Sequence, residues 1–262
     1  SRRGRFSGKE LLGYQEGAFR TWVNALAARV RDLGGLIETG RVVRRISGDG
    51  GRPAVELDGE TAAFDAVIAT VGNRVFLQVA PPLPESYAAK LEATPYQDAL
   101  CLVLALDRPL TRYYWLNVSS TTAPFVAVVE HTNLVGSGRY GGRHIIYVSN
   151  YVDPQSPLLA MSAEEVFTRY LPHLKRINPS FDESWVSERW LFHGRDAQPV
   201  FTVGAGSRIP SHRTPVNGLY LANMGQVYPQ DRGQNHSVLL GETVAEIVAA
   251  DLARAEIAQY QV

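Results

Sequence analysis

A largely apolar run at residues 64–71, Phe-Asp-Ala-Val-Ile-Ala-Thr-Val, constrains the fold of this chain more than any other stretch. Polar and apolar residues do not alternate in it, which is typical of a strand buried on both faces, as in a parallel sheet. The run ends at Gly72, a residue that often interrupts regular structure. We therefore predict an α/β arrangement for this part of the chain.

The residues before this run predict a helix followed by strands. Residues 17–33 have apolar side chains at helical spacing, and the Gly34-Gly35 pair ends the pattern. Residues 36–46 are rich in β-branched side chains and predict a strand. Residues 54–57 predict a short partner strand that turns at Asp58-Gly59. Residues 17–72 therefore have the pattern α-β-β-β.

The middle of the chain has a different character. Residues 99–107, 113–118, 125–131, 144–151 and 185–192 predict strands, and residues 162–177 predict a helix with Ser162 as its N-cap. We expect a mostly antiparallel sheet with a covering helix, inserted into the first module. Aromatic residues concentrate here. Most are expected in a packed core, while a minority lining a ligand cavity is the alternative.

Composition excludes some classes of protein. Lys plus Arg and Asp plus Glu both number 26, so the basic excess expected of a nucleic-acid binder is missing. The single cysteine, Cys101, lies in an apolar run and predicts a buried side chain and a reducing compartment. No apolar segment follows the basic Ser1–Arg5, and the longest apolar run falls far short of the roughly 20 residues that span a bilayer. We predict a cytoplasmic protein without a membrane span.

Two glycine-rich stretches do not qualify as dinucleotide loops. Residues 136–141 match G-x-G-x-x-G, but the strand-like residues 144–148 follow where a helix is needed. Residues 203–206 lack a third glycine and run into Pro210. The six histidines show no metal-ligand spacing, and no G-x-S-x-G elbow is present.

The C-terminal stretch predicts a strand, a polar loop and a helix. Residues 218–222 form the strand, residues 223–232 the loop, and the helix runs from about Gln234 to Ile257. The first turn of a helix has unpaired N–H groups and partial positive charge, which suit an anion or an electron-rich carbonyl. An ordinary strand–helix unit without a ligand is the alternative.

Taken in order, these segments resemble flavin-dependent amine oxidases, protoporphyrinogen oxidases and phytoene desaturases. The resemblance rests on Gly-Tyr-Gln-Glu-Gly at 13–17 with its helix, the strand at 36–46, the strand at 64–71, and Gly-Leu-Tyr-Leu-Ala through Arg-Gly-Gln-Asn-His-Ser at 218–237. It implies FAD as cofactor and a small-molecule substrate.

The resemblance also implies positions for cofactor contacts. Val43 matches the residue whose backbone meets the adenine. Thr70, Val71 and Gly72 match the strand end beside the ADP moiety. Gln234 and Asn235 match the helix start under the flavin. Asn223-Met224 stands where the family has glycine followed by an acid, and Asp231 is a possible substitute for that acid. The catalytic residues are unknown. His131 is expected to be a hydrogen-bonded strand histidine, and the alternative is that it reaches the ligand cavity.

The family's opening G-x-G-x-x-G unit is missing, so we expect a C-terminal fragment. Residues 1–75 and 205–262 are assigned to a partial FAD-binding domain of Rossmann-like, glutathione-reductase type, and residues 76–204 to an antiparallel substrate-binding domain. The overall class is α/β plus α+β. We expect exposed apolar surface, a homodimer formed through it, and no FAD in the fragment itself.

The leading hypothesis is an FAD-dependent oxidoreductase that oxidises a C–N or C–C bond, inactive as this fragment. Two alternatives stay open. One is a flavin-dependent sugar-nucleotide mutase. The other is a non-catalytic α+β binding module, which predicts a self-contained core without a large exposed apolar face.

Overall fold

The computed structural model describes residues 5–6, 9–10, 13–48, 52–230 and 232–259. The chain forms two compact units, which we call unit 1 (Ser1–Thr94 and Thr202–Val262) and unit 2 (Pro95–Phe201). Unit 1 is discontinuous in sequence, because unit 2 is inserted between its two parts. The architecture is mixed α/β with several separate sheets.

The first part of unit 1 contains short strands and three helices. Strands β1 (Arg5–Phe6) and β2 (Lys9–Glu10) pair antiparallel and precede helix α1 (Phe19–Asp32). Strands β3 (Val43–Ser47), β4 (Ala54–Leu57) and β5 (Glu60–Ala63) form an antiparallel sheet. Strand β6 (Val67–Ala69) and helices α2 (Asn73–Val79) and α3 (Glu85–Glu92) follow.

The turn between β4 and β5 confirms the hairpin predicted at Asp58-Gly59. Both residues have positive φ, 51° and 87°, as a type I′ turn requires, and Asp-Gly is a preferred pair there. The strand predicted at residues 36–46 is wrong in its first half, since β3 begins only at Val43. Gly40 has a φ of 74°, which interrupts an extended strand.

Unit 2 contains the predicted antiparallel sheet. Its strands are β7 (Tyr96–Leu106), β8 (Trp115–Asn117), β9 (Ala127–Glu130), β10 (His144–Val152) and β11 (Val186–Pro199), in the spatial order β11-β7-β10-β9-β8. Helix α4 (Thr132–Val135) precedes β10, and α5 (Ala163–Ile177) precedes β11. The strand β10 directly follows residues 136–141, which confirms that this glycine-rich stretch is no dinucleotide loop.

One face of this sheet packs on α5. Alternate residues of β7, from Leu100 to Leu106, are buried against the apolar side of this helix. Phe167 and Tyr170 lie on that side of α5. The helix begins where predicted. The Ser162 hydroxyl accepts the Glu165 N–H, and the Glu165 carboxylate accepts the Ser162 N–H at 2.7 Å, forming a capping box.

The second part of unit 1 contains strand β12 (Leu219–Leu221) and helix α6 (Gln234–Gln259). Strand β12 pairs parallel with β6, with Val67 opposite Leu219 and Ala69 opposite Leu221. This pairing confirms the predicted parallel strands. Leu219 and Leu221 face the core formed with α2 and α3, whereas Tyr220 and Ala222 face α6.

The predicted burial of residues 64–71 on both faces is wrong. Strand β6 covers only Val67–Ala69, and the Ile68 side chain is 40% exposed. The reason is that β6 and β12 form a sheet of two strands, so within the described residues no further strand pairs with the outer edge of β6. A central strand of a larger sheet has two such neighbours.

Helix α1 has an uncovered apolar face. None of its residues is buried, and Phe19, Val23, Leu26 and Val30 are all exposed. This surface agrees with the expectation of exposed apolar area and not with a self-contained binding module. Across the residues that the structure describes, no helix has the length and apolarity needed to cross a membrane.

Candidate functional site

The carboxyl ends of β6 and β12 lie at the same edge of unit 1. The parallel pairing continues past both strands, since the Ala222 N–H donates to the Ala69 carbonyl oxygen at 2.9 Å. The residues that follow, 70–72 and 223–224, therefore leave the sheet side by side. Ligands of open α/β sheets bind outside this edge. Five of the nine predicted site residues are brought together here.

Asn223 joins the two strand ends through its side chain. Its Nδ2 donates to the Val71 carbonyl oxygen at 2.9 Å and to Asn73 Oδ1 at 3.0 Å. Its Oδ1 accepts the Gly225 N–H at 2.9 Å. Asn223 is only 7% exposed. Both amide hydrogens are thus used inside the protein, and Asn223 holds the strand ends in register.

Two further amides extend this network. Asn73 Nδ2 donates to the Leu91 carbonyl oxygen at 3.1 Å, which ties the start of α2 to the end of α3. The Asn223 N–H donates to Gln226 Oε1 at 3.0 Å, and Gln226 Nε2 donates to the Pro210 carbonyl oxygen at 3.1 Å. The sequence did not single out Asn73 and Gln226, because nothing near either amide in the sequence indicates its hydrogen-bond partners.

The residues after β6 lie at the surface of unit 1. Thr70 and Val71 are exposed, Val71 by 38%, and Gly72 is half-buried. The Gly72 carbonyl oxygen accepts the Phe76 N–H at 2.9 Å and so begins α2. These three residues form a partly exposed strip beside Asn223, in which the Val71 and Gly72 carbonyl oxygens already accept hydrogen bonds.

The start of α6 is connected to the same edge. Gln234 and Asn235 are exposed on its first turn. The Ser237 N–H donates to the Gly233 carbonyl oxygen at 3.0 Å, and Ser237 Oγ lies 3.4 Å from Met224 Sδ. Ser237, a residue the sequence did not single out, therefore links the first turn of α6 to Met224.

One predicted site residue lies elsewhere, and another has no described position. Val43 begins β3, in the antiparallel β3–β4–β5 sheet and not in the β6–β12 sheet, and its side chain is exposed. Asp231 lies outside the described residues. The structure therefore gives no location for the proposed substitute acid.

Unit 2 has a second sheet face that α5 does not cover. Trp115, Trp190 and Phe192 on this face are 53%, 40% and 58% exposed. Of the ten aromatic residues that mark the middle of the chain, only Phe125 is fully buried, so the prediction that most form a packed core is wrong. Those ten are Tyr113, Tyr114, Trp115, Phe125, Tyr140, Tyr147, Tyr151, Trp185, Trp190 and Phe192. Strand alternation places many of them opposite the core.

The surroundings of two side chains on this face, His131 and Cys101, favour their uncharged forms. His131 Nε2 lies 2.7 Å from Tyr140 Oη, and burial lowers the pKa of His131, so the ring is neutral near pH 7. This confirms the expected hydrogen bond, but His131 follows the end of β9 and is not a strand residue. Cys101 Sγ lies 3.6 Å from Ser149 Oγ, and burial raises the pKa of the thiol. A protonated thiol is a poor nucleophile.

Known structures share this fold. An oxidoreductase from Methanosarcina mazei is 24% identical, with a TM-score of 0.69 over 88% of this chain and 54% of its own. Reduced UDP-galactopyranose mutase is 15% identical, with a TM-score of 0.68 over 87% and 51%. Wild-type putrescine oxidase bound to putrescine is 18% identical, with a TM-score of 0.68 over 89% and 53%.

The chain thus spans about half the length of these structures. No curated protein sequence matches it significantly. The model of the flavin containing amine oxidoreductase family, however, matches residues 2–230, which is most of the chain. This chain belongs to the flavin containing amine oxidoreductase family.

Proposed function

We propose that residues 1–262 are part of an FAD-dependent oxidoreductase that oxidises a C–N or C–C bond of a small organic substrate. The observation that carries the proposal is the shared edge of unit 1, where the ends of β6 and β12 meet the start of α6. In this assignment residues 1–75 and 205–262 belong to a Rossmann-like cofactor domain, and residues 76–204 to a substrate domain. The single cysteine supports a reducing compartment, the cytoplasm.

The residues at this edge fit one side of FAD. Residues 70–72 can approach a dinucleotide because Thr70 and Val71 are exposed, while the Val71 and Gly72 carbonyl oxygens already accept hydrogen bonds within the protein. The exposed first turn of α6, at Gln234 and Asn235, offers unpaired N–H groups and partial positive charge to a carbonyl or an anion. When bound, the flavin supplies the hydride acceptor for the substrate.

Asn223 and Met224 take indirect roles in this proposal. Because both amide hydrogens of Asn223 already have partners, its side chain positions the strand ends and does not itself hold the cofactor. Met224 contacts Ser237 and keeps the loop against the first turn of α6. The aromatic face of unit 2 provides apolar surface for the substrate.

The other side of the cofactor site comes from polypeptide outside residues 1–262. No stretch of this sequence combines G-x-G-x-x-G with a following helix. The outer edge of β6 and the apolar face of α1 are uncovered within the described residues, as expected of a partial domain. The isolated chain is therefore proposed to be inactive and free of FAD.

A direct test is to purify residues 1–262 and titrate them with FAD while following flavin fluorescence and absorption. We expect no flavin to remain bound through gel filtration. Flavin bands that co-elute with the chain would contradict the incomplete site. In a longer protein that does bind FAD, Gln234→Pro removes one backbone N–H from the first turn of α6, where proline is tolerated, and should weaken binding by about ten-fold, the loss of roughly one hydrogen bond. Gln234→Ala keeps this N–H and should bind FAD nearly as the unsubstituted protein does. Glu246→Ala, exposed on the same helix, is the control.

A flavin-dependent mutase is the second candidate, favoured by the structural similarity to UDP-galactopyranose mutase. The two reactions differ in net redox change. An oxidase substrate reduces the flavin under anaerobic conditions, whereas a mutase substrate leaves its oxidation state unchanged after turnover. Anaerobic absorption spectra of the FAD-loaded protein with amine and sugar-nucleotide panels distinguish them.

We also infer a homodimer of the isolated chain through the apolar face of α1. Phe19, Val23 and Leu26 are exposed large side chains on one helix, and association removes them from water. Sedimentation should show a dimer that Leu26→Glu dissociates, with Glu246→Lys on α6 as the charge control. A wild-type monomer at high concentration would refute this.

A further inference from the structure

The aromatic face of unit 2 has a hollow over its three central strands. Ala127 of β9, Ser149 of β10 and Cys101 of β7 lie directly opposite one another. Because Leu100 and Leu102 point toward α5, strand alternation places Cys101 and its partners on the opposite face. All three side chains are small, and Ser149 and Cys101 are half-buried. Together they form a floor that a ligand can reach.

Aromatic rings stand around this floor. Tyr147 and Tyr151 precede and follow Ser149 by two residues on β10, so they lie on the same face. Phe192 of β11 lies opposite Cys101 and is 58% exposed. The Cα atoms of the two tyrosines are roughly 13 Å apart along the strand. That spacing leaves room for one or two fused rings lying on Ser149.

A cluster of rings closes one end of the hollow. The centroid of the His131 ring lies 5.5 Å from that of Tyr140 and 5.7 Å from that of Tyr147, both edge-on. Tyr140, in the segment between α4 and β10, packs with Tyr147 on the buried Ile145 side chain. The neutral His131 and its two tyrosines therefore extend the apolar wall beyond the floor.

The polar side chains in and beside the floor bind one another. Cys101 Sγ and Ser149 Oγ share a hydrogen bond at 3.6 Å. At the edge of the sheet, Trp115 Nε1 donates to Asn117 Oδ1 at 2.8 Å. A ligand rich in hydrogen-bonding groups would lose its bonds to water here and gain few in return. The hollow therefore favours an apolar ligand.

The hollow also lacks a carboxylate. Among the described strand residues from Ala99 to Ala105 on this face, and those opposite them, Glu188 is the only acid. Glu188 lies opposite Ala105, four residues along β7 from Cys101, and is already paired with Arg143. An ammonium group in the hollow would thus have no carboxylate beside it.

Two acids at the far end of β7 and β11 belong to the other side of the sheet. Asp98 precedes Leu100 by two residues and so points toward α5, and its Oδ1 accepts the Asp196 N–H at 2.9 Å. Burial, together with the charge of Asp196, raises the pKa of Tyr96 to about 12, which places Asp196 near a side chain on that same side. Neither acid serves the hollow.

We propose that this hollow binds the substrate through an uncharged ring system, and that the bond oxidised is a C–C bond of that ring system. This rests on the function proposed above. An ammonium would lose its hydration without gaining a carboxylate, and cation–π contact with the exposed rings compensates only in part. In the oxidation, a hydride leaves one ring carbon for the bound flavin and a proton leaves the adjacent carbon for water, so that the single bond becomes a double bond.

Two probes with the same fused-ring skeleton test the substrate class. 2-Tetralol is neutral, whereas 2-aminotetralin is a cation at about pH 7. Titration of residues 1–262 with each, followed by backbone amide NMR, should shift the Ala127, Ser149 and Cys101 signals. We expect 2-tetralol to bind at least about ten-fold more tightly than 2-aminotetralin.

Two variants locate the binding and its charge preference. Phe192→Ala removes one wall and should weaken 2-tetralol binding about five-fold. Phe64→Ala, which removes a 42% exposed ring from unit 1, is the control and should leave binding unchanged. Asn117→Asp adds a carboxylate opposite Ala127 and keeps an acceptor for Trp115 Nε1. It should shift the affinity ratio toward 2-aminotetralin by about three-fold.

Equal or tighter binding of 2-aminotetralin to the wild type overturns the proposal, and so does the absence of shifts on this face with both probes. If Phe192→Ala fails to fold, Asn117→Asp decides, since an unchanged affinity ratio contradicts binding in the hollow. These titrations need no flavin. A longer protein that binds no FAD would refute the proposed function and leave the preference of the hollow standing. An FAD-loaded protein whose flavin is reduced by 2-aminotetralin and not by the neutral 1,2-dihydronaphthalene would refute the substrate class alone.

Discussion

Replacing Asn223 by alanine is the sharpest test of how the strand ends are held. The substitution removes two donors and one acceptor at a position that is 7% exposed. The Val71 carbonyl can be rehydrated, because Val71 is at the surface. Asn73 Oδ1 and the Gly225 N–H are buried and lose a partner.

The expected loss of stability follows from the hydrogen bonds that these partners lose. A lost hydrogen bond costs about 1 kcal/mol, and a buried group left unsatisfied costs roughly 1–3 kcal/mol. We therefore expect Asn223→Ala to destabilise unit 1 by about 2–4 kcal/mol, or roughly 30- to 1,000-fold in the opening equilibrium. The effect should be confined to unit 1, since the hydrogen-bond partners of Asn223 described above all lie there.

Asn223→Asp separates hydrogen bonding from shape. An ionised carboxylate only accepts, yet it would face two acceptors, the Val71 carbonyl oxygen and Asn73 Oδ1. We expect a loss at least as large as for alanine at pH 8. Burial disfavours the ionised form, so stability should recover in part as pH falls and the acid gains a proton to donate.

Hydrogen exchange measures the stability of both Asn223 variants. The Ala222 N–H, which donates to the Ala69 carbonyl oxygen, reports on the strand ends, and β7–β10 amides serve as an internal reference. Asn235→Ala, at an exposed position, should change stability by less than about 0.5 kcal/mol. The reasoning is refuted if Asn223→Ala costs no more than this control, or if unit 2 loses as much protection as unit 1.

Three further substitutions have defined outcomes. Gly218→Ala should cost at least about 2 kcal/mol in urea unfolding, because φ is 72° and a Cβ would lie 2.8 Å from Pro53 Cδ; a neutral result would contradict the crowding. Gly241→Ala should stabilise the folded chain by about 0.5–1 kcal/mol and raise its melting temperature, since the added Cβ meets open space on α6. A melting temperature below that of the wild type would disprove this. Ser162→Ala should lose about 1 kcal/mol through the capping box, whereas Ser162→Thr should not.

Local sequence signals were enough to predict several of the regular elements, although helices α2 and α3 were not predicted. Ser162 with Glu165 marks a helix start, Asp58-Gly59 marks a hairpin, and the spacing of apolar residues marks α5 and α6. Each signal acts within a few residues. The composition of residues 64–71 predicted a strand of a parallel sheet, which β6 is, but it did not identify β12 as the partner.

The unpredicted features depend on distant contacts. The Asn223–Asn73 hydrogen bond joins residues far apart in sequence, and nothing near either residue indicates it. The exposure of Ile68 depends on a neighbour that the sheet lacks within the described residues. The aromatic residues of unit 2 were expected in the core because size suggests burial, but their position in the strands places many on the outer face.

The insertion of unit 2 between β6 and β12 has a consequence for the order of folding. Strand β6 is synthesised long before its partner, and joining distant segments of a flexible chain costs loop-closure entropy. Unit 2 is contiguous, so it can fold while β12 is still unmade. Within unit 2, the Val200 N–H donates to the Pro95 carbonyl oxygen at 2.8 Å, which brings its two ends together. Once unit 2 has folded, the effective loop between β6 and β12 is short, and the parallel pair forms at a smaller entropic cost.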